Sequence, residues 1–306
     1  MIQFILFIIF IGLFIFGMTL LRSGLFNLSG DTLKRWVLHV TNAPWKGVLV
    51  GIVITILLQS SSAVMIITVG FVSAGLLSFP QSIGIILGSN IGTTMTTELI
   101  TFNIESYLIP LAIIGAVLAL MKKSKVRSIG FILLGISVVF SAIRGFEYIA
   151  APLKDMAFIN DWLLAIDKHH LYAVITGILI AAIIQSSTAT TAIIMGFLSS
   201  GAMNLDTGIA IILGANIGTC VDVYLASIGS GREAKLTAYA HIWLNVLGVI
   251  AFYPFIGSLA NLGLQLSQQP DAQLAHISVV FNVLSSLIVL PFTHYFARFV
   301  TKIHGR

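Results

Sequence analysis

The chain has little charge and almost no cysteine. Only 9% of its 306 residues are Asp, Glu, Lys or Arg, against about a quarter in soluble domains. With 58% hydrophobic residues and a mean hydropathy of +1.03, it reads as an integral membrane protein built of helices. The single cysteine, Cys220, excludes an intrachain disulfide framework and leaves the redox compartment open. Lys and Arg are missing from Gly47 to Met121 and again from Leu171 to Gly231. The net charge of +5 is therefore gathered between hydrophobic segments and near Arg306. That is the pattern of positive-inside loops, not of a nucleic-acid face, so no nucleic-acid partner is expected. Residues 4–21 have no basic region before them and no small-residue cleavage site after them. They are read as a retained helix and not as a signal peptide.

What is present is a duplicated polar motif. Gln59-Ser60-Ser61-Ser62 is followed by Gly88-Ser89-Asn90-Ile91-Gly92-Thr93-Thr94. Moving 126 positions along gives Gln185-Ser186-Ser187-Thr188 and Gly214-Ala215-Asn216-Ile217-Gly218-Thr219-Cys220. The register holds without a gap from Gly51–Glu98 to Gly177–Tyr224, with about 21 of 48 pairs identical. Hydroxyl-rich clusters that interrupt apolar helices at matching points of two halves are a pointer to a transporter's binding site.

Taken in order, residues 4–21 are long enough to span about 30 Å of hydrocarbon, and Arg22 closes that helix. Asp31–Thr41 is expected as an amphipathic interfacial helix. Residues 48–77 are broken near the middle by Gln-Ser-Ser-Ser, and each arm is too short to cross alone, which predicts a re-entrant hairpin. Residues 82–102 form a discontinuous Asn/Thr segment, and Tyr107–Met121 returns to the basic loop Lys122–Arg127. The second half repeats this order. Ser128–Ile149 echoes the first helix, with Gly130 and Gly135 matching Gly12 and Gly17, and Pro152–His170 is amphipathic. Residues 172–203 are the second hairpin and 207–228 the second Asn/Thr segment. Leu236–Leu259 and Ala275–Val300 complete the chain. The units are thus residues 1–127, 128–260 and a C-terminal helix in 261–306.

If both hairpins enter and leave on one side, seven crossings remain. Placing Lys122–Arg127 inside puts the N-terminus outside and the C-terminus inside, and leaves Arg144, Lys154 and Lys168 outside. Three crossings then separate the starts of the two halves, so the repeats are inverted.

A hairpin that turns at Gln-Ser-Ser starts its second arm with unpaired N–H groups and the positive end of a helix dipole. Two such ends, with the hydroxyls of Ser61, Ser62, Ser187 and Thr188, form an oxyanion site. With no Lys or Arg in either stretch, the anion's charge has to be balanced by sodium. Gln59, Gln185, Asn90, Asn216, Thr93 and Thr219 offer it oxygen, with Thr94 and Asp222 as further ligand candidates. Co-binding of cation and anion is the physical basis of symport. The competing reading of any single Ser or Thr is helix packing, and the Gly84-Gly88-Gly92 series is small-xxx-small spacing. Asp222, an intramembrane carboxylate where the first repeat has Thr96, suits a cation ligand or proton carrier. Glu98 reads as a solvated helix end. His241 and Asn245, and more loosely His276, Ser278 and Asn282, read as interhelical hydrogen-bonding groups, with a proton relay as the alternative.

These paired clusters resemble the type II sodium/phosphate cotransporter family. The Ala-His-Ile-Trp-Leu-Asn stretch at 240–245 and Phe281-Asn282 resemble it more weakly. The resemblance implies sodium-coupled transport of inorganic phosphate by an inverted-repeat, elevator-like protein. It implies phosphate at Gln59–Ser62 and Gln185–Thr188, with Asn90 and Asn216 beside them, and a sodium site using Gln185, Ser186 and Thr219. A multi-pass protein of the cytoplasmic (inner) membrane is expected, in contact with lipid and with a homodimer possible through the first helix of each half. Ala215, Cys220 and Asp222 depart from the family pattern. Asp222 could change how many cations bind, or permit proton coupling. Alternatives stand beside this: transport of another oxyanion, export of phosphate, and, more distantly, an intramembrane hydrolase with Ser61 or Ser187 as nucleophile and His241 as base.

Overall fold

The computed structural model describes residues 2–40 and 43–305, with the backbone alone for 29–40. Every regular element among the described residues is helical, and five apolar stretches are long enough to cross a membrane: Ile2–Leu28, Ser124–Lys154, Leu205–Ser227, Arg232–Leu266 and Pro270–His304. The chain is a multi-pass membrane protein. Of the seven crossings expected, Phe79–Leu99 is long enough but too polar, and Leu108–Ala119 is apolar but has only 12 residues.

Helix α1 runs from Ile2 to Val40 without a break, which corrects the expectation that Arg22 ends it. Neither Pro nor an αL residue interrupts it, and a single Arg does not terminate a helix. The expected amphipathic face at 31–41 lies outside the described side chains. Then come α2 (Pro44–Leu58) and α3 (Ser61–Ser73), followed by α4 (Phe79–Leu99) and α5 (Leu108–Ala119). The second half has α6 (Ser124–Lys154), α7 (Ala157–Lys168), α8 (His170–Ile184) and α9 (Ser187–Ser199). It continues with α10 (Leu205–Gly218), α11 (Cys220–Ser227), α12 (Arg232–Phe252) and α13 (Ile256–Leu266), and closes with α14 (Pro270–Val289) and α15 (Thr293–His304).

Small residues set how the two polar motifs lie against the hairpins. Gly84, Gly88 and Gly92 of α4 meet Gly47, Val48 and Ile52 of α2 in ascending order, so these helices run parallel at backbone contact. Gly214 and Gly218 of α10 meet Val174 and Ile178 of α8 in the same sense. The chain must double back between the members of each pair, and α3 and α9 are the returning arms. A Cβ on Gly88 would overlap the Val48 carbonyl oxygen, and one on Gly214 the Val174 carbonyl oxygen. The small-residue series is therefore a packing device.

The Asn/Thr segments differ. The first, expected to be discontinuous, is the unbroken 21-residue α4. The hydroxyls of Thr93, Thr94 and Thr97 donate to carbonyls of their own helix at 2.7–2.9 Å, so no break is required. The second is interrupted at Thr219, where Thr219 Oγ1 (3.1 Å) and Cys220 Sγ (3.4 Å) both converge on the Asn216 carbonyl. In α4 each such carbonyl takes one hydroxyl, whereas here two side chains share a single carbonyl, which loosens the ladder. The expected helices at 236–259 and 275–300 are each broken by a 3₁₀ turn, at Tyr253-Pro254-Phe255 and Leu290-Pro291-Phe292. Both prolines lack the N–H a continuous helix needs. The C-terminal unit is consequently not one helix.

Two apolar cores result. The first gathers α1, α6–α10, the end of α12, α13 and α14, and the second α2–α4, α11, the start of α12 and α15. Each hairpin belongs to a different core, and the second half's α11 and α12 complete the core of the first hairpin.

Candidate functional site

Both hairpins turn in the same way. Gln59 (φ 48, ψ 34) and Gln185 (φ 57, ψ 34) are the only non-glycine residues with positive φ among the described residues. A glutamine in the left-handed region costs on the order of 1 kcal/mol or more, where glycine would cost nothing. Its side chain is thus held there for a reason. Ser60 and Ser186 follow in extended conformation as N-caps, each accepting from the amide three residues on, Ala63 at 3.2 Å and Ala189 at 3.1 Å. Val64 and Thr190 bond the Ser60 and Ser186 carbonyls. The amides of Ser61, Ser62, Ser187 and Thr188 are left as orphan donors at the positive ends of α3 and α9.

The two tips share one cavity of about 200 Å³, lined by Gln59–Ser62, by Gln185–Thr188 and by Thr219. Nine of the residues expected to bind substrate or cation are thereby gathered from opposite halves of the chain. Gln59 is 5% exposed; its Nε2 donates to the Ile56 carbonyl at 2.6 Å, while its Oε1 is buried without a partner. Gln185, by contrast, is exposed. Asp222 does not line the cavity, but its carboxylate lies against the Ser62 hydroxyl and its Oδ1 is buried and unpartnered. An orphaned acceptor beside a polar cavity is where a cation gains most.

The remaining candidates are engaged elsewhere. Asn90 donates to Asn245 Oδ1 at 3.4 Å, across to α12. Asn245 in turn donates to the His241 carbonyl at 2.9 Å and to Cys220 Sγ at 3.4 Å. Asn216 Nδ2 donates to the Ile212 carbonyl at 2.8 Å. Thr93 and Thr94 bond within α4. His241 is buried with Nδ1 unpartnered and lines no part of the tip cavity. It makes no hydrogen bond to Ser61 or Ser187 among the described residues, so the hydrolase arrangement is not assembled. Glu98, expected to be solvated, pairs with His276 Nδ1 of α14 at 2.8 Å. Asn282 bonds the Ser278 carbonyl at 3.0 Å.

One wall of the cavity had no place in the sequence reading. Phe14, Ile15, Met18, Thr19 and Arg22 of α1 face the two tips. Their spacing of four (14, 18, 22 and 15, 19) is a single helical stripe, the one signal that could have found them. Arg22 Nε is buried and unpartnered. The expectation that no basic side chain reaches the tips is corrected: α1 brings one from outside both charge-free stretches.

Comparison with known proteins places the chain as a whole. The family described as Na+/Pi-cotransporter matches residues 13–148 and again 153–268. The chain is 38% identical over 287 residues to the protein YqeW of Bacillus subtilis, covering 94% of each. It is 24% identical over 295 residues to YjbB of Salmonella typhimurium, whose name provisionally assigns it to inorganic phosphate export. That match takes in 96% of this chain but 54% of YjbB, so the chain spans about half the length of that relative. A stretch of 94 residues, 30% of the chain and 15% of the relative, is 38% identical to the sodium-dependent phosphate transport protein 2A of Ovis aries. No solved structure matches.

Proposed function

Because the chain belongs to the Na+/Pi-cotransporter family, a family of transporters and not of enzymes, we propose that it carries inorganic phosphate across the cytoplasmic membrane coupled to sodium. The observation that carries this reading is the single polar cavity between the two hairpin tips. Phosphate binds there through the orphan amides and hydroxyls of Ser61, Ser62, Ser187 and Thr188, at the positive ends of α3 and α9. Ser60 and Ser186 hold those ends in shape. Sodium is held by oxygens that have no internal partner, Gln59 Oε1 and Asp222 Oδ1, with Gln185 and Ser186 of the second tip and Thr219 between α10 and α11. A cation and a dianion a few ångströms apart in a low-dielectric site strengthen each other's binding, and by linkage each does so by the same factor.

Access alternates by inverted repeats whose hairpins are re-entrant and move as in an elevator. An apolar cavity of about 470 Å³ separates Met18, Leu21 and Leu25 of α1 and Ile132, Ile136 and Phe140 of α6 from Leu57 of α2 and Leu99 of α4. A seam without directional bonds can slide at small cost. The direction of net flux follows the gradients, so the export named for YjbB is the same cycle run in reverse. The test is uptake of radiolabelled phosphate into proteoliposomes: an inward sodium gradient should raise it at least about tenfold over choline. Uptake indifferent to sodium ends the coupling, and arsenate or sulfate competing better than phosphate reassigns the anion.

A further inference from the structure

We propose that Arg22 is the cationic ligand of the transported anion, contributed by α1 from outside the duplicated motifs. The inference rests on the anion site proposed above and extends it. Arg22 lines the same cavity as both hairpin tips. It stands inside the apolar span Ile2–Leu28 and not at an end of α1, which continues to Val40. A guanidinium in a membrane-spanning stretch is costly and is retained where it faces a cavity or a partner. No carboxylate pairs with it among the described residues, and its Nε is buried without an acceptor. Met18 and Phe14, one and two turns earlier on the same stripe, are buried against the core and fix the direction in which that stripe points.

An orphan donor on one wall facing four orphan amides on the other is a set of hydrogen-bond donors with nothing to receive them. A tetrahedral oxyanion supplies the missing acceptors, and the planar guanidinium fork suits two of its oxygens. Arg22 has no counterpart in the second half. The glycine register that matches Gly12 and Gly17 to Gly130 and Gly135 places Phe140 opposite it. One anion thus meets one cation, and the symmetry of the tips is broken by the wall they face.

The test is equilibrium binding of radiolabelled phosphate to the full chain in lipid nanodiscs at saturating sodium. Arg22→Cys should weaken phosphate binding about tenfold to a hundredfold, the worth of a charge-assisted hydrogen bond. Modification with aminoethyl methanethiosulfonate, which restores an ammonium, should recover most of that loss, and the neutral methyl reagent should not. Cys220 is buried and out of reach of either reagent. Arg22→Gln, close in size and uncharged, serves if the cysteine variant does not fold, with the same loss expected. Wild-type affinity in a folded Arg22→Cys or Arg22→Gln protein, or equal recovery with both reagents, overturns the role of Arg22 and leaves the tip site standing. Absence of phosphate binding by the wild-type protein overturns the anion site as well.

Discussion

The two halves share their tips and differ in nearly everything that holds the tips. In both, a left-handed Gln and an extended N-capping Ser turn the hairpin, and a parallel helix packs against the first arm through glycine. Around that common part, α3 is half-exposed while α9 is buried along most of its length. Gln59 is enclosed and Gln185 open. The helix after the first hairpin is unbroken, and the one after the second is interrupted at Thr219, three residues before Asp222. The bases differ too: Pro44 and Pro80 in the first half stand where the second has His170 and Asp206, whose side chains meet at 3.1 Å. On the proposed function, duplication preserves the part that would gather donors around an anion. The parts that diverged are those the proposal assigns to the cation and to movement.

The largest effect should come from the shared packing. Gly88→Val and Gly214→Val each drive a side chain into a backbone carbonyl that cannot withdraw, and both should cost about 3 kcal/mol or more, with loss of folded protein by size-exclusion chromatography. The two should fail equally. A half that tolerates valine is not held by the contact the other uses, and the comparison would lose its common part.

Next in size, Gln59→Gly and Gln185→Gly remove the amide while keeping the left-handed turn. Both should lower sodium-driven uptake about tenfold or more. Thermal stability should hold or rise by up to about 1 kcal/mol, because glycine relieves the turn. The gain should be smaller at Gln59, which also loses its 2.6 Å bond to Ile56. Uptake unchanged in both would make the glutamines turn formers only.

Asp222→Thr, which installs the first half's residue, should raise the sodium concentration for half-maximal uptake about fivefold to tenfold while leaving uptake at saturating sodium intact. Thr96→Asp should not do the reverse. Thr96 belongs to an unbroken helix, and among the described residues no serine hydroxyl of a tip lies against it as Ser62 does against Asp222. Identical sodium curves for wild type and Asp222→Thr would place the cation elsewhere.

How much of this was legible beforehand follows from what a sequence can display. The repeat and its tips were, because hydroxyls and amides inside apolar runs are conspicuous and occur twice. Arg22 was not, since an arginine after 18 apolar residues reads as the end of a span, and only the packing of α1 turns it inward. Asn90 and Asn216 lie in the same conspicuous runs, yet their amides are taken up by Asn245 and Ile212. Spacing says which face a residue occupies and not which neighbour arrives there. The breaks at Pro254 and Pro291 were readable from proline alone and were masked by the continuous hydrophobicity around them.

The smallest effect tests whether the bases matter. His170→Pro and Asp206→Pro import the first half's residues at helix positions that accept them: His170 opens α8 after an extended His169, and Asp206 stands second in α10 as Pro80 does in α4. The pair they remove is partly exposed and worth less than about 1 kcal/mol. Thr207 and Asn204 still hold Asp167 beside it. The melting temperature should therefore move by only a few degrees, and phosphate binding should not change. If the double variant instead slows uptake while binding stays intact, the histidine–aspartate base is part of the moving machinery. The asymmetry between the halves would then extend from the cation site to the hinge.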